Sequence, residues 1–290
     1  MTTESPAAPA PHPPPLPPSP AVPAAGSRPL AGDLLSAEWT KIRSVRSTVW
    51  TLIIFVVISL GLTALFTWLT VANWNGPRAA ARDARVALDP VGFIMGSGLG
   101  LGQLTICVLG VLVITTEYST GVIRASLLAV PRRIEMLTAK AVVFAALMIV
   151  VAEIVVFGSF FIGSAILHGK VAVSLSDRNV TRAVVGSGLY LTVLGLFSLA
   201  IGTLIRHTAG AITTAIGVVF VLPILAGLLP GGWGAHVNGY LPEQAGTLIG
   251  QQHPPADGNV LSAWEGFGLF CLWTAVLLAL GAYLLHRRDA

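Results

Sequence analysis

Few side chains in this 290-residue sequence can do chemistry, and most of them crowd one stretch. EYSTGVIRASLLAVPRRIEMLTAK, residues 117–140, carries Glu117, Arg124, Arg132, Arg133 and Lys140 between two long apolar runs. Charges in such a setting serve docking or topology rather than bond making. Phosphate chemistry needs a GxxxxGK[ST] loop, whose backbone amides and lysine cradle a nucleotide; the Gly169-Lys170 pair is followed by Val171 and lacks the upstream glycine. GxSxG and HExxH are absent as well, so neither an activated serine nor a zinc hydrolase is indicated. His236 and His253 stand far apart without supporting cysteines or carboxylates, and Cys107 and Cys271 fall inside apolar runs as packing residues, so no metal site is expected. The remaining ionisable group is Glu153, alone near the middle of an apolar run. A carboxylate there is costly and must face a helix bundle or a wet cavity. It can serve as a carboxylic acid bonded to a neighbouring helix, as a partner for a cationic substrate, or as a proton-responsive group.

The elements around these residues are set by composition. The chain is 54% hydrophobic and 10% charged, with a mean hydropathy of +0.79, which excludes an ordinary soluble domain, where about a quarter of residues are charged. Its pI near 9.4 does not indicate nucleic acid, because the basic residues are scattered between apolar runs rather than gathered on one face. Six segments, 49–72, 91–116, 141–167, 183–205, 208–229 and 266–285, reach the roughly 20 residues that cross a bilayer. The sequence therefore predicts an all-α polytopic membrane protein. Placing the N-terminus in the cytoplasm puts eleven of the seventeen Lys and Arg inside, so both termini are expected there, with Arg78, Arg82 and Arg85 as an outer exception.

Residues 1–32 hold eleven of the nineteen prolines and read as a disordered or PPII-like cytoplasmic tail, leaving 33–290 as the membrane domain. From Asp33, Leu35, Trp39, Ile42, Val45 and Val49 recur at helical spacing, which predicts an amphipathic interfacial helix ahead of the first span. In the second span Gly92, Gly96 and Gly100 form overlapping GxxxG units that let helices approach closely, with Gly98 and Gly102 on an adjacent face. Arg206 and His207 alone separate spans four and five, a tight hairpin, and Pro223 is expected to kink span five. Within the charged connection, Ile123, Leu127, Leu128 and Val130 give 118–130 an apolar side suited to a short surface helix, which Pro131 stops.

The order Glu117, Gly121, Arg124, Pro131, Arg132, Arg133 and Lys140 resembles the first intracellular loop of ABC-2 type transporter permeases, with Val122 and Ala139 departing from the usual Thr and Gly. EWTKIRSVRSTVW is similar to the entry to the first span in actinobacterial members of that family. The resemblance covers about residues 34–290. It implies the membrane subunit of a bacterial exporter in the cell membrane, whose 117–140 loop, with Leu127 and Leu128, docks on a separate ATPase subunit. This chain would then bind no cofactor itself, ATP and Mg²⁺ residing on that partner. A second permease copy or a relative would complete the transporter, and short re-entrant or interfacial helices are expected in 230–265, ahead of the last span. The rival readings are a proton-coupled secondary transporter, for which internal repeats are missing, and an intramembrane hydrolase, for which Glu153 lacks a second carboxylate.

Overall fold

A computed structural model describes residues 31–121, 133–229, 233–253 and 261–287, and among these it contains helices and no strands. In chain order they are α1 (Ala31–Ser44), α2 (Arg46–Ala72), α3 (Ala80–Leu88), α4 (Pro90–Ser119), α5 (Arg133–Leu167), α6 (Val180–Ile205) and α7 (Thr208–Ile216). A π-helical turn (Gly217–Val221) joins α7 to α8 (Leu222–Gly227), and α9 (Trp233–Gly239), α10 (Pro242–Thr247), a 3₁₀ turn (Leu248–Gly250) and α11 (Ala263–Arg287) follow. Six helices are long and apolar enough to cross a membrane: α2, α4, α5, α6, α7 running through α8, and α11.

Five of the expected spans fall inside these helices, and the fifth in chain order, 208–229, overruns its helix by two residues; several helices in turn run on past the apolar segments. The third begins at Arg133 rather than at 141, because hydrogen bonding propagates through polar turns that hydropathy leaves out. At 35 residues α5 is about 52 Å long, well beyond a hydrocarbon core of roughly 30 Å. Lys140 consequently sits two turns inside a helix rather than at its foot.

α6 is the central helix, enclosed by α4, α5, α7 and α11, while α2, α7 and α11 keep most of their surface exposed. Small residues allow this. A Cβ on Gly110 of α4 would lie 2.3 Å from the Gly195 carbonyl oxygen of α6, so the two backbones touch where neither has a side chain. On the other side of α4, a Cβ on Gly98 would fall 2.0 Å from Thr63 Oγ1 and one on Gly102 2.2 Å from Ser59 Oγ, so this face receives α2. In span five the Leu222 amide donates to Gly217 five residues back, and the π turn takes up the register change ahead of Pro223, which has no N–H to give.

Of the predicted apolar stripe of α1 only Ile42 turns inward; Leu35, Trp39, Val45 and Val49 are exposed on the outer surface, where an interfacial helix meets lipid, and the helix breaks at Val45 before α2 begins. Its inner face, against α5, carries Glu38. At the opposite end of the bundle α9 packs on α8, and α10 with the 3₁₀ turn tucks against α6 and α11, where Gly246 leaves room for Phe270 and Tyr190. Arg182 Nη2 donates to the Gln251 carbonyl at 2.9 Å, and Asp89 Oδ1, which caps α4 by accepting from the Gly92 amide, also accepts from the Gln252 amide at 3.2 Å.

Candidate functional site

The bundle end that carries the 117–140 connection holds a buried cluster of four charges. Glu38 comes from the inner face of α1, Glu117 from the last turn of α4, and Lys140 from the second turn of α5. Lys140 is 1% exposed, and its Nζ donates to Glu38 Oε2 at 2.5 Å and to Glu117 Oε1 at 2.8 Å. Lys41, one turn beyond Glu38, donates to Glu38 Oε1 at 2.6 Å and lies 3.5 Å from Glu117 Oε1. Burial works against the Lys41 charge, but the Glu38 hydrogen bond and the Glu117 charge outweigh it and hold its ammonium above the usual range. Ile42, Met136 and Leu137 are buried beside these residues and keep water from the pairs.

A second contact extends the cluster sideways. The guanidinium of Arg206 lies 5.3 Å from the centre of the Tyr118 ring, and its Nη2 donates to the Leu284 carbonyl of α11 at 3.4 Å. Arg206 reaches both by adopting a left-handed backbone (φ 58°) at the end of α6, and His207 Nδ1 then caps α7 by accepting from the Gly210 amide. The two residues of the expected hairpin thus join the end of α4 to the ends of α6, α7 and α11.

The connection leaves α4 through Gly121, whose φ of +72° follows the C-cap Thr120. A left-handed residue in this position ends a helix, and glycine takes it without steric cost. The arrangement is mechanical: the two ends of one loop are ionically bound to each other and to an N-terminal helix. The family model described as ABC-2 family transporter protein matches residues 34–290. The chain belongs to the ABC-2 transporter family. Among curated proteins none matches the sequence.

The protein is accordingly a multi-pass membrane permease subunit of an ABC transporter, a transport component that is not itself catalytic, and members of this family normally work with an ABC ATPase partner. Of the loop residues of this ABC-2 permease, Glu117 and Gly121 stand as just described. Arg133 is the first residue of α5, and Arg124, Leu127, Leu128, Pro131 and Arg132 lie outside the described residues.

Glu153 is half-buried and its carboxyl lies against α6, in the notch left by Gly188, where a Cβ would fall 2.5 Å from its Cδ. Its Oε2 is buried without a hydrogen-bond partner among the described residues. The Gly92, Gly96 and Gly100 stripe does not make the close helix contacts of this chain. Gly96 and Gly100 have no atom within 4 Å of an added Cβ and line a cavity of about 170 Å³ with Gln103, Tyr190 and Glu243; the contacts fall instead on Gly98 and Gly102. Sequence spacing gave both glycine faces and could not choose between them, since the choice is made by Ser59 and Thr63 of another helix. Glu38 and Lys41 were missed altogether. Their signal was a Glu and a Lys three apart on a helix otherwise read for its apolar stripe, with two further unpaired charges, Glu117 and Lys140, at the ends of neighbouring spans.

Proposed function

We propose that this ABC-2 permease is the membrane subunit of an ATP-driven bacterial exporter, moved by a separate ATPase that docks on the 117–140 loop. The observation that carries the reading is the 2.8 Å pair between Glu117 and Lys140, one on each side of that loop, with Glu38 of α1 closing the cluster. A loop whose feet are bound to each other cannot be displaced at one end alone, so a push on it moves α4, α5 and α1 together. ATP and Mg²⁺ belong to the partner, in keeping with a sequence that has no GxxxxGK[ST] loop. Two permease copies, or this chain and a relative, form the path across the cell membrane, with both termini and the loop in the cytoplasm.

The test uses the permease assembled with its ATPase. Arg124→Ala and Glu117→Ala are expected to insert into the membrane and assemble, but to lower transport-stimulated ATP hydrolysis. Cysteines at Leu127 or Leu128 are expected to cross-link to the ATPase. ATP hydrolysis by the purified permease alone overturns the division of labour.

A further inference from the structure

Three arginines, Arg78, Arg82 and Arg85, stand together on and just ahead of α3, at the end of the bundle away from the ion cluster. On the orientation proposed above they lie outside, against the usual distribution of basic residues, so topology does not account for them. The space beneath them does. Arg82, Gly92 and Phe93 are shared by two adjoining cavities of about 600 Å³ each. One is lined by Arg78, Arg82 and Arg85; the other runs down between α2 and α4 along Phe66, Leu69 and Phe93. Together they make one groove with a basic mouth and an apolar trough.

The nearby carboxylates are already engaged. Asp83 accepts from the Asn75 amide at 2.9 Å and from Arg82 Nη2 at 2.7 Å, and Asp89 accepts from the Gly92 and Gln252 amides. Arg78 and Arg85 are exposed and have no ion pair among the described residues. The trough is open because α4 presents Gly92, Gly96 and Ser97 to it, and nothing lies within 4 Å of a Cβ added at Gly96. Guanidinium groups bind phosphate by paired N–H donors, and a trough of aromatic and leucine side chains beside the bilayer suits an acyl chain.

We infer that this groove binds one anionic phospholipid from the adjacent leaflet, its phosphate on Arg78, Arg82 and Arg85 and an acyl chain along Phe66, Leu69 and Phe93. The site is separate from the coupling loop and does not depend on how ATP drives transport. It gives the open glycine face of α4 a role that helix packing within the chain does not.

The experiment is native mass spectrometry of the delipidated full chain in neutral detergent, titrated with dioleoyl phosphatidylglycerol or dioleoyl phosphatidylcholine. Wild type is expected to retain one phosphatidylglycerol at concentrations where phosphatidylcholine is lost. The double variant Arg78→Gln/Arg85→Gln removes exposed side chains that make no ion pair among the described residues, and is expected to weaken retention about tenfold or more. Gly96→Leu keeps every charge and fills the trough, and is expected to weaken it similarly. Equal retention of both lipids by wild type, or undiminished phosphatidylglycerol binding by either variant, overturns the proposal. Displacement of the lipid by equimolar glycerol 3-phosphate also overturns it, since that would mark a free-phosphate site.

Discussion

Replacing Lys140 by Met tests whether the four-charge cluster is held by its charges. Met nearly preserves the volume and removes the ammonium that bridges Glu38 and Glu117 at 2.5 and 2.8 Å. Among the described residues the wild-type cluster is neutral, two lysines against two glutamates; the variant buries a net negative charge, with the one-third exposed Lys41 as its remaining cation. Removing one partner of a buried pair costs about 3–5 kcal/mol. A ceiling comes from protonation: a stranded glutamate of reference pKa about 4.3 can take up a proton instead, at a cost of about 3.7 kcal/mol at pH 7 and about 1 kcal/mol at pH 5. The loss of stability should therefore be about 3–4 kcal/mol at pH 7 and shrink to about 1 kcal/mol at pH 5. For a chain of this size that corresponds to roughly 6–16 °C in thermal midpoint at neutral pH. The assay is thermal unfolding in detergent at both pH values, with the quadruple variant Lys140→Met/Lys41→Gln/Glu38→Gln/Glu117→Gln alongside. The quadruple variant removes all four charges of the cluster, strands none of them, and is expected within about 2 kcal/mol of wild type. A Lys140→Met loss equal at pH 5 and pH 7 would refute the electrostatic account, because packing defects do not titrate.

Gly121→Ala places a side chain at φ +72° with open space around it, so its cost is conformational, about 1–2 kcal/mol; Gly121→Asn should recover much of that, read as thermal midpoint and stimulated ATP hydrolysis. Burial pushes the Glu243 carboxyl up to about 7 despite its hydrogen bond from Gln244, and a raised acid pKa means the folded state binds the extra proton. Stability from this group is thus greatest below about pH 4.5 and falls as pH rises toward 7, by about 3 kcal/mol at most, and Glu243→Gln should remove that slope. Glu153→Gln should assemble and transport like wild type while Glu153→Ala misassembles; a Gln variant that assembles and hydrolyses ATP but does not transport points to the charge instead. Single cysteines at Arg132 and His253, in a background without Cys107 and Cys271, should label oppositely with an impermeant maleimide in intact cells, and outside labelling at position 132 reverses the orientation.

The spans were legible because a run of about 20 apolar residues has few other uses. Their ends were not, since a helix continues past the lipid boundary for as long as its backbone bonds do, and α5 gains two turns of charged sequence that way. The hairpin at Arg206 and the break around Pro223 could be read from one or two residues each, because both act on the backbone. The charge cluster could not. Glu38 and Lys140 are 102 positions apart, and each looked like an interfacial charge on its own segment. Their burial is a property of three helices meeting: the apolar stripe of α1 stays on the outside, and its opposite side brings Glu38 to the bundle.

The cost of this cluster also bears on its role. Buried ion pairs seldom stabilise a fold more than apolar residues of the same volume, because desolvation offsets most of the attraction. Apolar packing at the same place would hold the helices together, but it would tolerate sliding; Lys140 must keep Nζ within hydrogen-bond reach of two carboxylates on two other helices, which fixes their register. Register is what a loop needs if motion at its tip is to arrive at α4 and α5 in phase. The neutral quadruple variant separates the two contributions: it should fold nearly as stably as wild type and yet transmit less of the ATPase cycle, measured as transport per ATP hydrolysed. If it both folds and couples like wild type, the charges are dispensable at this position and the register argument fails with them.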